Sequence, residues 1–530
     1  MRNDALEEDG RRPERPLQDR HGAGAANPGW SDRPAPAGRA SHPRPPRPWS
    51  GLKSRQLILL LVMSHAPLIL LWGAIPSSYQ FGGVVATPLV LGFGGLALSA
   101  YAIGSGGMAR RILHRGGHYA FVTHGLGPVA GMGAAVLALL SYLALLASLT
   151  TLLSGSLKGL VAGVLGLDLP FGLCVLLATA ALIALERLRL ATMLRVLVAF
   201  SVVQAAVLLW FDGAAFATPA VGSITFDALD PAELLTGSFG LALCFAITSF
   251  VGSEMGPMYS DEVSDPHRTI PRSTTASYLI TTVVLVITGF AVSVAVGPQD
   301  AVAAAQGQLE SQTAGAGQPF VLTVMALLVG AAHVETAAEL ITAALVVGAL
   351  ASCALSCQGI GRQLSGLARD GVLPATLAPG PDGRPSWPAG VIAPVTAGLV
   401  ALTASALDGA TITLYLAIGG GLGFAAVITL VSFATIMWFL RRDDDETGVF
   451  GWEGQVAAAG FAMVTTGFVT VYALIRMPDV LPKGETYGWL LTAAILAAFL
   501  GGVAWAITLR RTQPEALAHL GRSGPGLTTT

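Results

Sequence analysis

The sequence predicts an all-α polytopic membrane protein with about twelve transmembrane helices. Three observations lead to this fold class: the composition, the length of the apolar runs, and the distribution of basic residues between loops. The 530 residues are 53% hydrophobic and only 12% charged, whereas soluble domains carry about 25% charged residues. This composition excludes an ordinary soluble domain and indicates a chain that folds within lipid.

Apolar runs of about 20 residues, the length that crosses the hydrocarbon core of a bilayer, predict the individual helices. The run between residues 319 and 359 is too long for one span, so we divide it into a short external helix at 319–332 and a membrane helix at 336–360. The twelve predicted spans cover residues 56–80, 84–113, 128–156, 169–185, 190–211, 236–262, 273–297, 336–360, 387–405, 409–440, 453–475 and 487–509.

The basic residues predict the orientation of these spans. Of the 30 lysines and arginines, only Lys158, Arg476 and Lys483 fall in loops on one side of the predicted membrane. Lysine and arginine concentrate in cytoplasmic loops, so the opposite, basic side is expected to be cytoplasmic. We therefore expect an even number of spans, both termini in the cytoplasm, and a multi-pass protein of the plasma membrane.

The segments outside the spans complete the predicted organisation. Residues 1–50 are rich in arginine, proline and glycine and cannot bury enough apolar surface to offset their ordering entropy, so we expect a disordered cytoplasmic tail. A transporter core of ten helices is predicted at 51–440, followed by two additional membrane helices at 441–510. A second cytoplasmic tail is expected at 511–530.

Two predicted helices are interrupted near mid-membrane. Helix 1 carries Ser-His-Ala-Pro at residues 64–67, and helix 6 carries Thr-Ser-Phe-Val-Gly-Ser-Glu at residues 248–254. Pro67 removes a backbone donor, and Gly252 weakens a helix. Free backbone groups and half-helix dipoles at such breaks can hold a carboxylate or phosphate. Interrupted first helices in two halves of five helices are typical of secondary transporters with inverted repeats.

Four short motifs follow one another along the chain. The first reads FVGSE at residues 250–254 and DPHRTIPR at 265–272. It resembles the F-x-G-F-E and NP-x-R-x-I-P-R signature of the amino acid-polyamine-organocation (APC) permeases, in particular the bacterial amino acid permeases. The second motif, at residues 116–119 with 125–128, is similar to the family's G-G-x-Y and L-G-P motif. The third, at residues 186–189, is similar to its N-x-R-G motif. The fourth, at residue 362 with 367–374, is similar to its R and L-A-R-D-G-x-L-P motif.

The resemblance implies a LeuT-type fold of ten helices in two inverted halves plus two peripheral helices, working by alternating access. It implies a small-molecule substrate, an amino acid or related amine, and a membrane-lipid environment, with no cofactor, metal, nucleic acid or enzymatic activity. The substrate carboxylate is expected beside Ser64, His65, Ala66 and Pro67. The amine and side chain are expected beside Thr248, Ser249, Phe250, Val251, Gly252 and Ser253.

The chain departs from the family pattern at two positions. The glycine-rich break of helix 1 is replaced by Ser-His-Ala-Pro, and Gly-Ala-Ile-Pro at residues 73–76 offers a second candidate break. The aromatic residue expected after Gly252 is Ser253, which predicts a more polar site or an aromatic lid moved to Phe250.

Titratable and hydroxyl side chains near the breaks are the candidates for ion coupling. His65 and Glu254 are candidates for proton coupling or gating, or for structural bracing of the breaks. Ser352 and Ser356 lie one turn apart, where they suit either sodium coupling or hydrogen bonds within their own helix. We expect proton-coupled symport; an amino acid or amine exchanger is the alternative, and a membrane channel or enzyme is the more distant one.

Four other patterns are expected to be structural. Gly104-Ser105-Gly106-Gly107 follows an apolar helix rather than a strand, which argues against a nucleotide-binding loop. His114, His118 and His124 are expected to be loop histidines rather than metal ligands. The acidic run at 443–446 is predicted to be a solvated loop, and His333, Glu335 and Glu339 are expected to cap helices.

Overall fold

The computed structural model describes residues 51–188, 190–313, 324, 328, 334–380, 384–407, 409–441, 451–480 and 485–522. Regular structure within these residues is helical, and a single parallel bridge joins Leu52 to Val263. The predicted tail at 1–50, the acidic run at 443–446, His333 and most of the predicted external helix at 319–332 lie outside the described residues.

The helices follow the predicted order. They are α1 Ser54–Ser64, α2 Pro67–Ile69, a π-helical turn Leu70–Ala74, α3 Ile75–Gly82, α4 Thr87–Arg111, α5 His118–Leu126, α6 Pro128–Leu165, α7 Phe171–Glu186 and α8 Leu190–Ala217. The second half comprises α9 Phe239–Thr248, a 3₁₀ turn Ser253–Tyr259, α10 Pro266–Val296, α11 Pro298–Thr313, α12 Val334–Arg369, α13 Trp387–Ala406, α14 Gly409–Leu440, α15 Gly451–Val480, α16 Glu485–Thr512 and α17 Pro514–His519.

The described residues contain eleven helical segments that are long and apolar enough to cross a membrane. The shorter apolar helix α7 coincides with the remaining predicted span, so each predicted span corresponds to a helix. The prediction of an all-helical, polytopic membrane protein is confirmed.

Several helices extend beyond the predicted spans. α10 begins at Pro266 rather than at residue 273, and α12 continues to Arg369 rather than ending at 360. Both extensions are polar, so hydropathy alone misses them. Proline at the first position of α10 favours a helix start, because its missing N–H has no partner to lose there. The helix α11 was not predicted.

Close helix packing depends on small residues, as is usual where lipid supplies no hydrophobic driving force between helices. α6 packs against α12, α14 and α16, and α4 packs against α10. A Cβ atom at Gly125 of α5 would lie 2.2 Å from the backbone oxygen of Ala434 in α14. This distance leaves no room for a side chain, so the two helices are in backbone contact.

A charged cluster on the predicted cytoplasmic side ties the loops to the helix ends. Arg115, before α5, and Arg369, at the end of α12, both donate to the carboxylate of Asp261. Arg362 donates to both carboxylate oxygens of Glu262 at 2.9 and 3.0 Å. We call these five residues the charged cluster. It connects the segments that follow α4 and the 3₁₀ turn to α12.

The C-terminal segment joins the same region. Asp370 accepts hydrogen bonds from Tyr119 at 2.9 Å, from His114 at 3.0 Å and from the Gly521 amide at 2.8 Å. Leu517 and Leu520 are buried beside it. His114 lies in the loop before α5, as expected, but it is buried there and bonded to a carboxylate.

Gly125→Ala should lower the stability of the protein by about 1–3 kcal/mol, because the added methyl group forces two backbones apart. Thermal unfolding in detergent measures the effect. Gly460→Ala in α15 is the matched control, since its Cβ atom would meet nothing within 4 Å. Equal stability of the two variants would contradict the backbone contact.

Asp261→Asn should destabilise the protein at neutral pH by about 3–5 kcal/mol, because it leaves two guanidinium groups without their shared carboxylate. Burial alone would raise the pKa of Asp261, but Arg115 and Arg369 outweigh it and lower the pKa to about 2. The stabilisation is therefore present above pH of about 4 and is lost as the pH falls through about 2.

Unfolding measured between pH 2 and pH 7 tests the cluster. The difference between Asp261→Asn and the unsubstituted protein should shrink at the acidic end. Asp168→Asn, whose partner Lys158 and own carboxylate are exposed, should change little at any pH. A difference for Asp261→Asn that persists unchanged at pH 2 would show that the charge is not its cause.

Candidate functional site

The helix 1 break begins where α1 ends at Ser64. Ala66 has φ 44° and ψ 88°, and it is the one non-glycine residue with positive φ among those described. Pro67 then starts α2, a position that proline tolerates because its N–H would be unpaired there. A left-handed alanine is strained by about 1–3 kcal/mol. The surrounding contacts therefore have to hold this conformation.

Those contacts come from a neighbouring helix and from α1 itself. Ser352 of α12 donates to the carbonyl oxygen of Ser64 at 2.6 Å, and the Ser64 hydroxyl donates to Leu61 at the same distance. The amides of His65 and Ala66 donate back to the carbonyls of Val62 and Met63. In this conformation these two amides are used within the chain, so binding a carboxylate through them requires their release.

The second candidate break, at residues 73–76, is helical. Residues 70–74 form a π-helical turn, and α3 continues from Ile75 through Pro76. The π-helical turn widens the helix without reversing the backbone. Within residues 64–67 the chain leaves the helix at His65 and Ala66, whereas 73–76 keeps its helical path.

The helix 6 break lies between α9 and the 3₁₀ turn. Gly252 has φ 126°, and its amide donates to the carboxylate of Glu254 at 2.6 Å. A Cβ atom at Gly252 would lie 2.1 Å from the hydroxyl oxygen of Ser64. The two breaks are therefore in direct contact, and the absence of a side chain at residue 252 permits that contact.

His65 bonds the two breaks together. Its Nε2 lies 2.9 Å from the carbonyl oxygen of Phe250 and 3.2 Å from the Ser253 hydroxyl. Its Nδ1 lies 3.3 Å from the Val62 carbonyl and 3.4 Å from the Thr281 hydroxyl. A carbonyl can only accept, and the Phe250 contact is the shorter of the two carbonyl contacts, so we assign the proton of the neutral ring to Nε2. A second proton on Nδ1 would find the Val62 carbonyl in place.

Glu254 is buried behind the helix 6 break. Besides the Gly252 amide, it accepts a hydrogen bond from the Tyr142 hydroxyl at 2.8 Å. Tyr142 belongs to α6, so the carboxylate connects α6 to the break. Phe250 is also fully buried and packs against the rings of His65 and Tyr278.

A cavity of about 380 Å³ lies beside the two breaks. Its walls are largely apolar, and no aspartate, glutamate, lysine or arginine is among the described residues that line it. Polar atoms come from Ser64, His65, Ser77, Tyr142, Ser148, Thr248, Ser249, Ser352, Ser356 and Thr413. The cavity can therefore take a ligand without net charge and offer it hydroxyls and broken-helix backbone.

The predicted site residues divide into two groups. Ser64, His65, Thr248, Ser249 and Val251 line the cavity, as do Gly73 and Ala74 of the second candidate break. Six others do not line it and instead form or support the breaks behind the wall: Ala66, Pro67, Phe250, Gly252, Ser253 and Glu254.

Several residues that line the cavity were not predicted from the sequence. Tyr142, Ser148 and Thr413 each stand in an apolar helix and face the cavity. A polar residue in the middle of an apolar span is costly in lipid, and that cost is the signal that could have identified them. Their helices were predicted, but the face that each residue occupies was not.

The cavity lies away from the charged cluster along the helices. Its residues on α6 run from Tyr142 to Leu152, and those on α14 run from Thr413 to Leu422. The cluster gathers the segment before α5 and the end of α12. On α12 the cavity-lining Ser352 and Ser356 precede Arg362 and Arg369 of the cluster, so the two sites occupy successive parts of this helix.

Helices broken beside a cavity whose described lining carries no aspartate, glutamate, lysine or arginine are typical of membrane transporters. The chain matches the family model for amino acid permeases over residues 56–515. It belongs to the amino acid permease family of the APC superfamily, and the resemblance inferred from the motifs is confirmed. Members of this family are transporters rather than enzymes, so the protein is a multi-pass amino acid transporter. Comparison with curated proteins gives no match.

Gly252→Ala should reduce amino acid uptake by at least about tenfold, because overpacking of about 1–3 kcal/mol falls on the contact between the two breaks. Membrane insertion should stay near normal, since the change is a single methyl group. Uptake into cells, normalised to the protein in the membrane fraction, measures the effect.

Gly73→Ala is the matched control for this experiment. It also lies on broken helix 1 and lines the cavity, but its Cβ atom would meet nothing within 4 Å. Its uptake should fall much less. Unchanged transport by Gly252→Ala would show that the contact between the breaks is not part of the transport site.

Proposed function

We propose that this transporter is a proton-coupled symporter of neutral amino acids with apolar side chains. The observation that carries the proposal is a cavity that joins two helix breaks and has no charged side chain among its described lining residues. We also propose that the ten-helix core has the LeuT-type inverted repeat and that both termini are cytoplasmic, as the arginine distribution indicates.

The cavity wall supports the substrate class. Burying an unpaired charge in an apolar site is expensive, so a cationic or anionic side chain would need an opposite charge in the wall. A zwitterion carries no net charge, and helix breaks can hold its two ionic groups through backbone atoms. Leu145, Leu149, Phe245, Ile418 and Leu422 then offer an apolar surface to an aliphatic or aromatic side chain.

The titratable groups at the breaks support proton coupling. His65 touches both breaks, and both of its ring nitrogens lie near carbonyl oxygens, so gaining a proton changes the hydrogen bonds that hold the breaks together. Glu254 accepts from Gly252 at the helix 6 break. Protonation of Glu254 removes the charge that makes this bond strong.

Sodium coupling is the alternative that a specific contact favours. The Ser352 hydroxyl lies 2.6 Å from the Ser64 carbonyl, and Ser356 lines the cavity one turn away. Hydroxyl and carbonyl oxygens are ligands that suit sodium. In this structure, however, the Ser352 hydroxyl donates its proton to that carbonyl, which is the ordinary use of a buried serine.

Uptake into proteoliposomes tests the substrate and the ion together. Leucine, phenylalanine and methionine should be taken up and should compete with one another, whereas lysine, glutamate and putrescine should not compete. A protonophore should reduce accumulation, and replacement of sodium by choline should not.

Three results would contradict the proposal. Preferred uptake of a charged substrate would overturn the substrate class. A strict sodium requirement would favour the Ser352 and Ser356 alternative. Exchange of external for internal amino acid without net accumulation under a pH gradient would establish an exchanger.

A further inference from the structure

His118 stands outside the site described above and is buried. It is the first residue of α5 and 2% of its surface is exposed, so the expectation of a loop position is wrong for this residue. Its Nδ1 lies 3.5 Å from the Tyr142 hydroxyl, and its Nε2 has no hydrogen-bond partner among the described residues. A buried ring nitrogen without a partner is costly, which calls for a functional explanation.

The Tyr142 hydroxyl lies between His118 and Glu254. It donates its proton to the Glu254 carboxylate at 2.8 Å, so its oxygen presents lone pairs to His118. The nitrogen that faces this oxygen therefore carries the proton in the neutral ring. The result is a directed chain, from the Nδ1 proton of His118 through the Tyr142 hydroxyl to Glu254, and the buried Nε2 at its other end has no partner among the described residues.

We propose that His118 is the entry residue of a proton relay that runs through Tyr142 to Glu254. This inference rests on the proposed proton-coupled symport and assigns its route on the side of the membrane that holds the charged cluster. Glu254 accepts the delivered proton, and Tyr142 also lines the substrate cavity, so the relay ends at the transport site.

The proton balance of the relay is closed. A proton binds Nε2 of His118, the Nδ1 proton moves to the Tyr142 oxygen, and the Tyr142 proton moves to Glu254. One proton enters and one reaches the carboxylate, while Tyr142 ends as it began. His118 ends neutral with its proton on Nε2, and the reverse transfer or a turn of the ring restores the starting tautomer.

The charged groups near the relay are paired with other residues, and the phenols near Glu254 are neutral. Tyr101 of α4 and Tyr278 of α10 lie near Glu254 and are neutral phenols. Arg115, three residues before His118, is paired with Asp261, and His114 is bonded to Asp370. Burial lowers the pKa of His118 to about 4, so the ring is neutral near pH 7 and Nε2 is available as an acceptor.

Delivery of the proton would act on the helix 6 break. An ionised Glu254 holds the Gly252 amide in a charge-assisted hydrogen bond, and a protonated Glu254 holds it more weakly. Gly252 is also where the helix 6 break touches Ser64 of the helix 1 break. A proton that arrives through His118 therefore loosens the contact on which the site depends.

The experiment compares His118→Gln with the matched control His124→Gln in proteoliposomes. His124 lies on the same helix and bonds to the Ala120 carbonyl at 2.9 Å. Three quantities are measured with leucine: leucine-driven proton flux reported by a pH dye inside the vesicle, leucine counterflow without a pH gradient, and leucine binding. Counterflow requires no net proton movement.

His118→Gln should lose at least about tenfold in proton flux and in gradient-driven accumulation, the lower end of what a lost proton-transfer group costs. Its binding and counterflow should stay near the unsubstituted level, and His124→Gln should match the unsubstituted protein throughout. A proton flux in His118→Gln equal to that of the unsubstituted protein would overturn the relay. An equal loss of proton flux, counterflow and binding would also overturn it.

His118→Asn is the second variant if His118→Gln does not fold. Its amide cannot take up and pass on a proton, so proton flux should fall as far while leucine counterflow and binding persist. Undiminished flux in His118→Asn would also overturn the relay. If the unsubstituted protein accumulates leucine without moving protons, the proposed symport itself is wrong, which is a different result from an intact flux in the variants.

Discussion

The contact between the two helix breaks is the interaction on which the rest of the structure depends. Gly252 meets Ser64 without a side chain, and His65 joins the helix 1 break to the Phe250 carbonyl of the other break at 2.9 Å. The strained backbone at Ala66 persists only because such contacts hold it. The conformation of the cavity wall therefore depends on the hydrogen bonds between the two breaks.

Charge is separated from the cavity along the bundle. Arg115, Asp261 and Arg369 are paired with one another, whereas the described residues that line the cavity include no aspartate, glutamate, lysine or arginine. These ion pairs connect the segment before α5 and the segment after the 3₁₀ turn to α12.

Much of the fold follows from the sequence, because hydropathy, Pro67 and Gly252 act locally. The spans and both breaks were predicted from these signals, and the motifs identified the family. The faces of the helices could not be predicted. Tyr142 stands out as a polar residue in an apolar stretch of α6, but no periodicity in that helix shows which face lies toward the cavity. His118 was expected in a loop because no long apolar run covers it, whereas it begins the short helix α5 and is buried beside Tyr142.

The central claim is that the two breaks together form the substrate site. An experimental structure of the protein with bound leucine tests it most directly. We expect leucine in the cavity beside residues 64–67 and 248–252, with its ionic groups on the broken-helix backbone and its side chain toward Leu145 and Ile418. Leucine bound elsewhere, with both breaks unchanged and out of contact with it, would show that the breaks do not form the substrate site.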